Sequence, residues 1–275
     1  MEYDLAKAKT EVAKLVKAFE TDSEIKPVVS RFFRELEEIA ERRDPSNYLL
    51  LPETDTHPEL KTNLTRLSYA PEVQKIAEKL RLNLGNNSQG YVGNLTFKQA
   101  EQIAEGLEGI VETPSLFVEK LKILRSGKGY DANGNKQDTK KLENAFNELT
   151  EVRNPWRAQW LNHQYSLNKE DKLQVTYHKF VDGKIKPVTE LLDLDTLMED
   201  RLPGIDLIDY IENSTSQGLP RKSVKKGKTY FWHPRDGAVA RFDADAGGSD
   251  LGCDGDPRYS NDAVGVAVAK IFHRK

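Results

Sequence analysis

The residues in this chain best suited to chemistry lie near its C-terminal end. Asp243, Asp245 and Gly248 partly imitate a calcium loop, with carboxylates at the first and third positions and glycine at the sixth. The fifth position is Gly247, and the twelfth is Asp254 where a bidentate glutamate belongs. A dedicated metal site is therefore not expected. Asp131, Asn133 and Asn135 match still less well and read as an Asn-Gly turn. Cys253 is the only cysteine, so no internal disulfide or cysteine-built zinc cage can form. It sits among apolar anchors, the setting of a small buried residue rather than a reactive thiolate. The histidines (His57, His163, His178, His233 and His273) are scattered; no HExxH, GxSxG or phosphate-cradling glycine loop accompanies them. Arg221, Lys222, Lys225, Lys226 and Lys228 form a basic loop without interleaved aromatics before Tyr230, the pattern of a solvated connector. The expectation is no catalytic residue, metal, cofactor or nucleic-acid partner.

What does stand out is a change of palette. Between Thr229 and Ala269 the chain uses no Lys, Glu, Gln or Met, although Lys and Glu are common before it and Lys returns at Lys270. The interval holds seven Asp, seven Ala and six Gly. Apolar anchors recur through it: Trp232, Pro234, Val239, Phe242, Leu251, Cys253, Pro257, Val264, Val266 and Val268. The residues between them are small or polar, which fits short strands joined by wide polar connections.

Upstream of this interval the pattern is helical. Leu5 to Phe19 and Val29 to Ile39 carry apolar stripes at helical spacing. Pro71 opens a third helix, with Val73, Ile76, Ala77 and Leu80 inward. Thr96 and Gln99 form a capping box. Thr113-Pro114 starts a helix with Phe117, Leu121 and Leu124 inward, and Asp138 caps another. Near Asn154 the pattern switches. Trp156 to Asn162 alternates like a strand, and Gln174 to Phe180 is rich in β-formers ahead of an Asp182-Gly183 hairpin turn. Two helices are expected after it, Val188 to Met198 and Asp206 to Ile211. The fold class is therefore α+β, with a helical N-terminal region over 1–150 and a second domain over 151–275. A net charge of -3 gives no global pull towards nucleic acid or anionic membrane. No apolar run reaches membrane-helix length and the first twenty residues are too charged for a secretory signal, so a soluble, cytoplasmic or virion-associated protein is expected.

Tyr230-Phe231-Trp232-His233-Pro234-Arg235, Leu251-Gly252-Cys253 with Asp256-Pro257, and Val264-Gly265-Val266 resemble a C-type lectin fold over about residues 154 to 273. Within that fold they are similar to the branch shared by formylglycine-generating enzymes and the variable proteins of diversity-generating retroelements, and the archaeal and viral variable proteins look most alike. Ala267 stands where that branch usually has Arg, which puts the buried salt bridge of that Arg in doubt. The resemblance implies adenine-directed mutagenesis of Asn codons. That process yields Asp, Ala, Gly, Ser, His, Tyr, Arg and Phe but never Lys, Glu, Gln, Met or Trp. Trp232 must then be a fixed scaffold residue. The lone cysteine argues against the enzymatic member of the branch, and a calcium-dependent sugar-binding module is the other alternative.

The implied function is non-enzymatic ligand recognition. Family members serve as receptor binders on phage tails or as other ligand binders, some of them trimeric; the partner here is a protein or surface ligand, and the oligomeric state stays open. Buried anchors would hold the backbone while exposed positions between them vary at little cost. The ligand-facing set expected on this basis is Phe231, His233, Asp236, Ala238, Arg241, Asp243, Asp250, Gly252, Asp254, Gly255, Tyr259 and Ser260, with Phe231, Arg241 and Tyr259 as the main anchors.

Overall fold

The protein is described by a computed structural model covering residues 47–64, 71–82, 93–152 and 156–272. The two N-terminal helices expected over Leu5–Phe19 and Val29–Ile39 lie outside the described residues. Every described residue belongs to one compact unit, Pro45–Lys275. Its architecture is mixed α+β.

The helices start where their caps predict. α1 spans Pro71–Lys79 and buries Ala77, but Leu80 just beyond it is exposed. α2 (Phe97–Gly106) opens on a complete capping box: the Gln99 backbone N–H donates to Thr96 Oγ1, and Gln99 Oε1 accepts from the Thr96 backbone. α3 (Pro114–Ser126) is capped by Thr113, carries proline in its first turn and ends on Gly127 in the left-handed conformation. It buries Phe117, Leu121 and Leu124 as expected. Asp138 caps α4 (Thr139–Thr150), and Asp206 caps α5 (Leu207–Asn213).

Among the described residues twelve strands form two sheets. β1 (Tyr48–Leu51), β2 (Leu60–Asn63) and β3 (Ile110–Val111) join β12 (Val268–Ile271) in the order β1-β2-β12-β3. The larger sheet comprises β4 (Arg157–Leu167), β5 (Leu173–Val181), β6 (Lys184–Leu191), β7 (Arg201–Ile205), β8 (Thr229–Trp232), β9 (Val239–Ala244) and β10 (Ser249–Gly255). Its order is β6-β5-β4-β9-β10-β8-β7, and β11 (Val264–Val266) pairs in parallel with β4. The β5–β6 hairpin turns on Asp182 and Gly183, both at positive φ, as the sequence predicted.

One feature corrects the sequence-based expectation. Val188 to Met198 is not a helix: its first four residues finish β6 and the rest is irregular. Cross-strand pairing of β6 along the whole of β5 overrides the weak helical spacing of Val188, Leu191 and Leu192. Described residues from before and after position 150 share one core. β12 lies between β2 and β3, and one core contains Leu49, Leu60, Phe117, Leu121 and Leu142 together with Phe231, Phe242 and Leu251.

A buried ion pair joins the parts. Lys120 and Glu112, both with fully buried side chains, meet at 2.7 Å. Thr62 Oγ1 and Gln159 Nε2 also donate to the Glu112 carboxylate, so β2, α3 and β4 converge on one group. The Glu112 backbone N–H donates to the carbonyl of Ala267. The position where the resemblance expects Arg thus lies against an ion pair supplied by other residues. A buried pair contributes little net stability, but losing one partner strands the other charge.

Candidate functional site

The large sheet has two unlike faces, and strand parity decides which residue belongs to which. On one side Phe231, Phe242, Leu251, Cys253 and Ala240 enter the main core, where Phe242 meets Phe117 of α3 at 4.8 Å between ring centroids. On the other side β4 is covered: Trp160 and Ala158 pack with Phe97, Leu95, Val264 and Val266 in a second core. Over β9, β10 and β8 this covering gives way to polar side chains. Register places Asp243, Asp250 and Tyr230 in one row across the three strands, and Arg241, Gly252 and Trp232 in the next.

Arg241 stands at the border of the covered and polar parts. Its guanidinium carbon lies 5.9 Å from the Trp156 ring, 5.9 Å from Trp160 and 5.3 Å from Tyr259. Arg241 Nη2 meets Asp243 Oδ2 at 2.8 Å, while Arg241 Nε is shut from solvent without a hydrogen-bond partner. Three π faces and a carboxylate hold the side chain in place.

Asp250 is less well satisfied. Its Oδ2 accepts from Trp232 Nε1 at 3.2 Å; its Oδ1 is shut from solvent and has no partner. Burial, and then the negative charge of Asp243 directly across the strand pair, push its carboxyl up to about 7, against the opposing pull of the Trp232 N–H and Arg241. Beside it Gly252 leaves a gap in the row. A Cβ there would have only Asp254 Oδ1 within 4 Å, at 3.5 Å. Arg241 and Trp232 flank Gly252 across the strands, Asp250 and Asp254 lie next to it along β10, and Gly252 itself is buried.

Asp200, just before β7, gathers the last group. It accepts from the His233 backbone at 3.0 Å, meets His233 Nδ1 at 2.7 Å and pairs with Arg235 Nη2 at 2.7 Å. Burial acts to raise its pKa, but the two His233 hydrogen bonds and Arg235 outweigh it and hold the carboxyl low. Arg235 Nη1 also reaches Asp254 at 3.3 Å.

Of the twelve expected positions, the structure brings together Arg241, Asp243, Asp250, Gly252, Asp254 and Tyr259, with His233 linked through Asp200 and Arg235. Two are corrected. Phe231 is fully buried in the main core and Ala238 is nearly so, and neither faces outward. Asp243, though on the polar face, is only 6 % exposed. Asp236 is exposed and caps the end of β4 by accepting from the Leu167 backbone, and Ser260 is exposed on a loop. Gly255 is required by packing, since a Cβ would come within 2.9 Å of the Val239 carbonyl oxygen. Trp156, Tyr230, Asp200 and Arg235 lie beside these residues although the sequence reading did not place them in the ligand-facing set. Trp232, expected in the scaffold, lines the site and is half-buried.

The calcium-like residues are separately engaged. Asp243 pairs with Arg241, and Asp254 with Arg235. Asp245 Oδ1 accepts from Gly247 and Gly248 in the β9–β10 turn. Among the described residues no group of three or more His, Cys, Asp or Glu is placed to hold a metal. Burial pushes the Cys253 thiol up to about 12, against a hydrogen bond with Tyr165, so it stays protonated at neutral pH. His163 is fully buried beside Tyr165 and Tyr177, and burial lowers it to about 3. Among the described residues no helix is long and apolar enough to cross a membrane. Compared with protein-family models, curated proteins and solved structures, the chain matches none.

Proposed function

We propose that this chain is a non-enzymatic recognition protein with a C-type-lectin scaffold, on which a retroelement diversifies the residues of one sheet face and its adjoining loops. One observation carries the reading. Within the stretch that lacks Lys, Glu, Gln and Met, residues alternate between a tight apolar core and a polar face, so the odd composition coincides with a surface set upon a skeleton. Phe231, Phe242, Leu251 and Cys253 hold the strands from beneath. His233, Arg241, Asp250, Gly252, Asp254 and Tyr259 can change with little effect on those contacts. The parallel pairing of β11 with β4 joins the early and late parts of the stretch that carries the resemblance. The ligand on this reading is a protein or another molecule borne on a surface, as for receptor binders, and it differs between sister variants.

Sequencing around the gene tests the proposal. The expected result is a nearby template repeat and a reverse transcriptase, with mismatches confined to adenines and to codons of the polar face, His233, Arg241, Asp250 and Tyr259 among them. A missing repeat, or mismatches spread equally over Phe242 and Leu251, overturns it.

A further inference from the structure

We infer that residues 52–59, which join β1 to β2, form a pH-operated strap: an imidazolium at His57 fastens them to Glu119 of α3, and loss of the ring proton releases them. The inference is independent of any role for the polar face.

Both ring nitrogens of His57 face oxygen acceptors. Nδ1 lies 2.8 Å from the Pro58 carbonyl oxygen, and Nε2 lies 2.6 Å from Glu119 Oε2. A neutral imidazole carries one N–H and one lone pair, so it satisfies only one of the two. Its other nitrogen would set a lone pair against an oxygen at hydrogen-bond distance. The cation has an N–H for each acceptor, and the bond to the Glu119 carboxylate is then charge-assisted. The His57 side chain is 9 % exposed and that of Glu119 is 23 % exposed, so water has little room to replace either bond.

The rest of the strap is held only to itself. Residues 52–56 are exposed. The Thr54 N–H donates to the His57 carbonyl at 3.0 Å, and the Thr56 N–H donates to Thr54 Oγ1 at 3.2 Å. Among the described residues, the His57 side chain makes the hydrogen bond that ties residues 52–58 to another element. At the far end the Glu59 carbonyl accepts from the Phe272 N–H at 2.9 Å, just before β2 begins at Leu60. One side chain therefore governs the strap, while β1 and β2 remain paired from Tyr48 with Asn63 to Leu51 with Leu60.

The direction of the switch follows from the charges. Glu119 acts on the ring from α3; Asp55 and Glu59 stand two residues to either side on the strap, and Lys120, next to Glu119, is turned inward to Glu112. Burial acts to lower the His57 pKa, but the Glu119 hydrogen bond, the Pro58 carbonyl and the Glu119 charge outweigh it and raise the ring above its ordinary 6.5. Once released, the ring titrates near about 6.5. The fastening is therefore complete below about pH 6.5, weakens by up to about tenfold per pH unit as the pH rises towards the raised midpoint, and is lost above it.

The test follows two signals of the full chain: the His57 ring nitrogens by nitrogen-15 NMR, and hydrogen-exchange protection of the Thr54 amide, corrected for the intrinsic pH dependence of exchange. Expected are two protonated ring nitrogens at about pH 7, where an exposed histidine is mostly neutral. Thr54 protection should hold steady up to about pH 6.5, fall as His57 titrates and level off beyond it. Glu119→Gln keeps an acceptor but removes its charge, so the His57 midpoint and the loss of protection should both move to lower pH. His57→Gln should give protection that no longer depends on pH, and His178→Gln should behave like the wild type. A His57 midpoint at or below about 6.5, a midpoint that Glu119→Gln leaves in place, or Thr54 protection equal at about pH 6 and about pH 9 overturns the inference.

Discussion

The two sides of the β8–β10–β9 ribbon are built from neighbouring residues and obey opposite rules. Tyr230 and Trp232 point one way and Phe231 the other; Arg241 and Asp243 oppose Phe242; Asp250 and Gly252 oppose Leu251. On the packed side, apolar surfaces meet the helices and each atom has neighbours. On the polar side, charges hold one another in pairs, Asp250 Oδ1 lacks a donor, and Gly252 adds no side chain to its row. The comparison teaches that a tight apolar core and a polar surface can occupy the same strands, because side-chain direction alternates with each residue.

The strongest way to break the comparison is to cut into the packed side. Phe242→Ala removes a ring lodged against Phe117 and is expected to cost about 3–5 kcal/mol, measured by chemical denaturation. A loss as small as that of a polar-face substitution would erase the distinction.

A second measurement uses acid. Folded His163 stays neutral down to about pH 3, whereas in the unfolded chain it gains its proton near 6.5. The stability gained from keeping it neutral is fully present above about pH 6.5 and declines as the pH falls, by about 1.4 kcal/mol per unit. His163→Phe should flatten that slope relative to wild type in unfolding titrations from about pH 6.5 to 4.

Asp250 carries the opposite sign. Its folded carboxyl, near 7, favours the proton more than the unfolded one does. Its contribution is greatest below about pH 4 and falls as the pH rises towards 7, by at most about 1.4 kcal/mol per unit. Asp250→Asn should therefore gain on wild type as the pH rises, in the same titrations. Arg241→Ala should cost about 1 kcal/mol or somewhat more, from lost stacking and an unshielded Asp243. The smallest effect belongs to Ser260→Ala, expected within about 0.5 kcal/mol, and a larger loss would show that the polar rim is structural.

Much of the scaffold was legible in the sequence because it is written in local chemistry. The Thr96–Gln99 box, the Thr113-Pro114 start and the Asp138 cap depend on residues three apart. The Asp182-Gly183 hairpin depends on two. Val188 to Met198 was misread because its strand exists through β5, not through its own periodicity. The polar face was only half legible. Composition marks a stretch of chain, but it says nothing of parity. Placing Trp232 inside put Phe231 outside, and the true register is the reverse; a one-residue change of phase exchanges the faces of a strand. Asp200 escaped notice for a different reason. It lies 33 residues from His233, and only the pairing of β7 with β8 brings them together. Lys120 and Glu112 are eight residues apart and look like ordinary surface charges until α3 turns the lysine inward.

The place of β12 has a consequence for how the molecule comes into being. This strand lies between β2 and β3 yet follows every other described strand in the chain. On the ribosome, the early strands must wait with exposed edges until Ile271 has cleared the exit tunnel, after every codon of the polar face has been translated. A nonsense codon or frameshift anywhere in that interval therefore leaves the small sheet unfinished. The polar face has to be read through in full before any copy can close its fold.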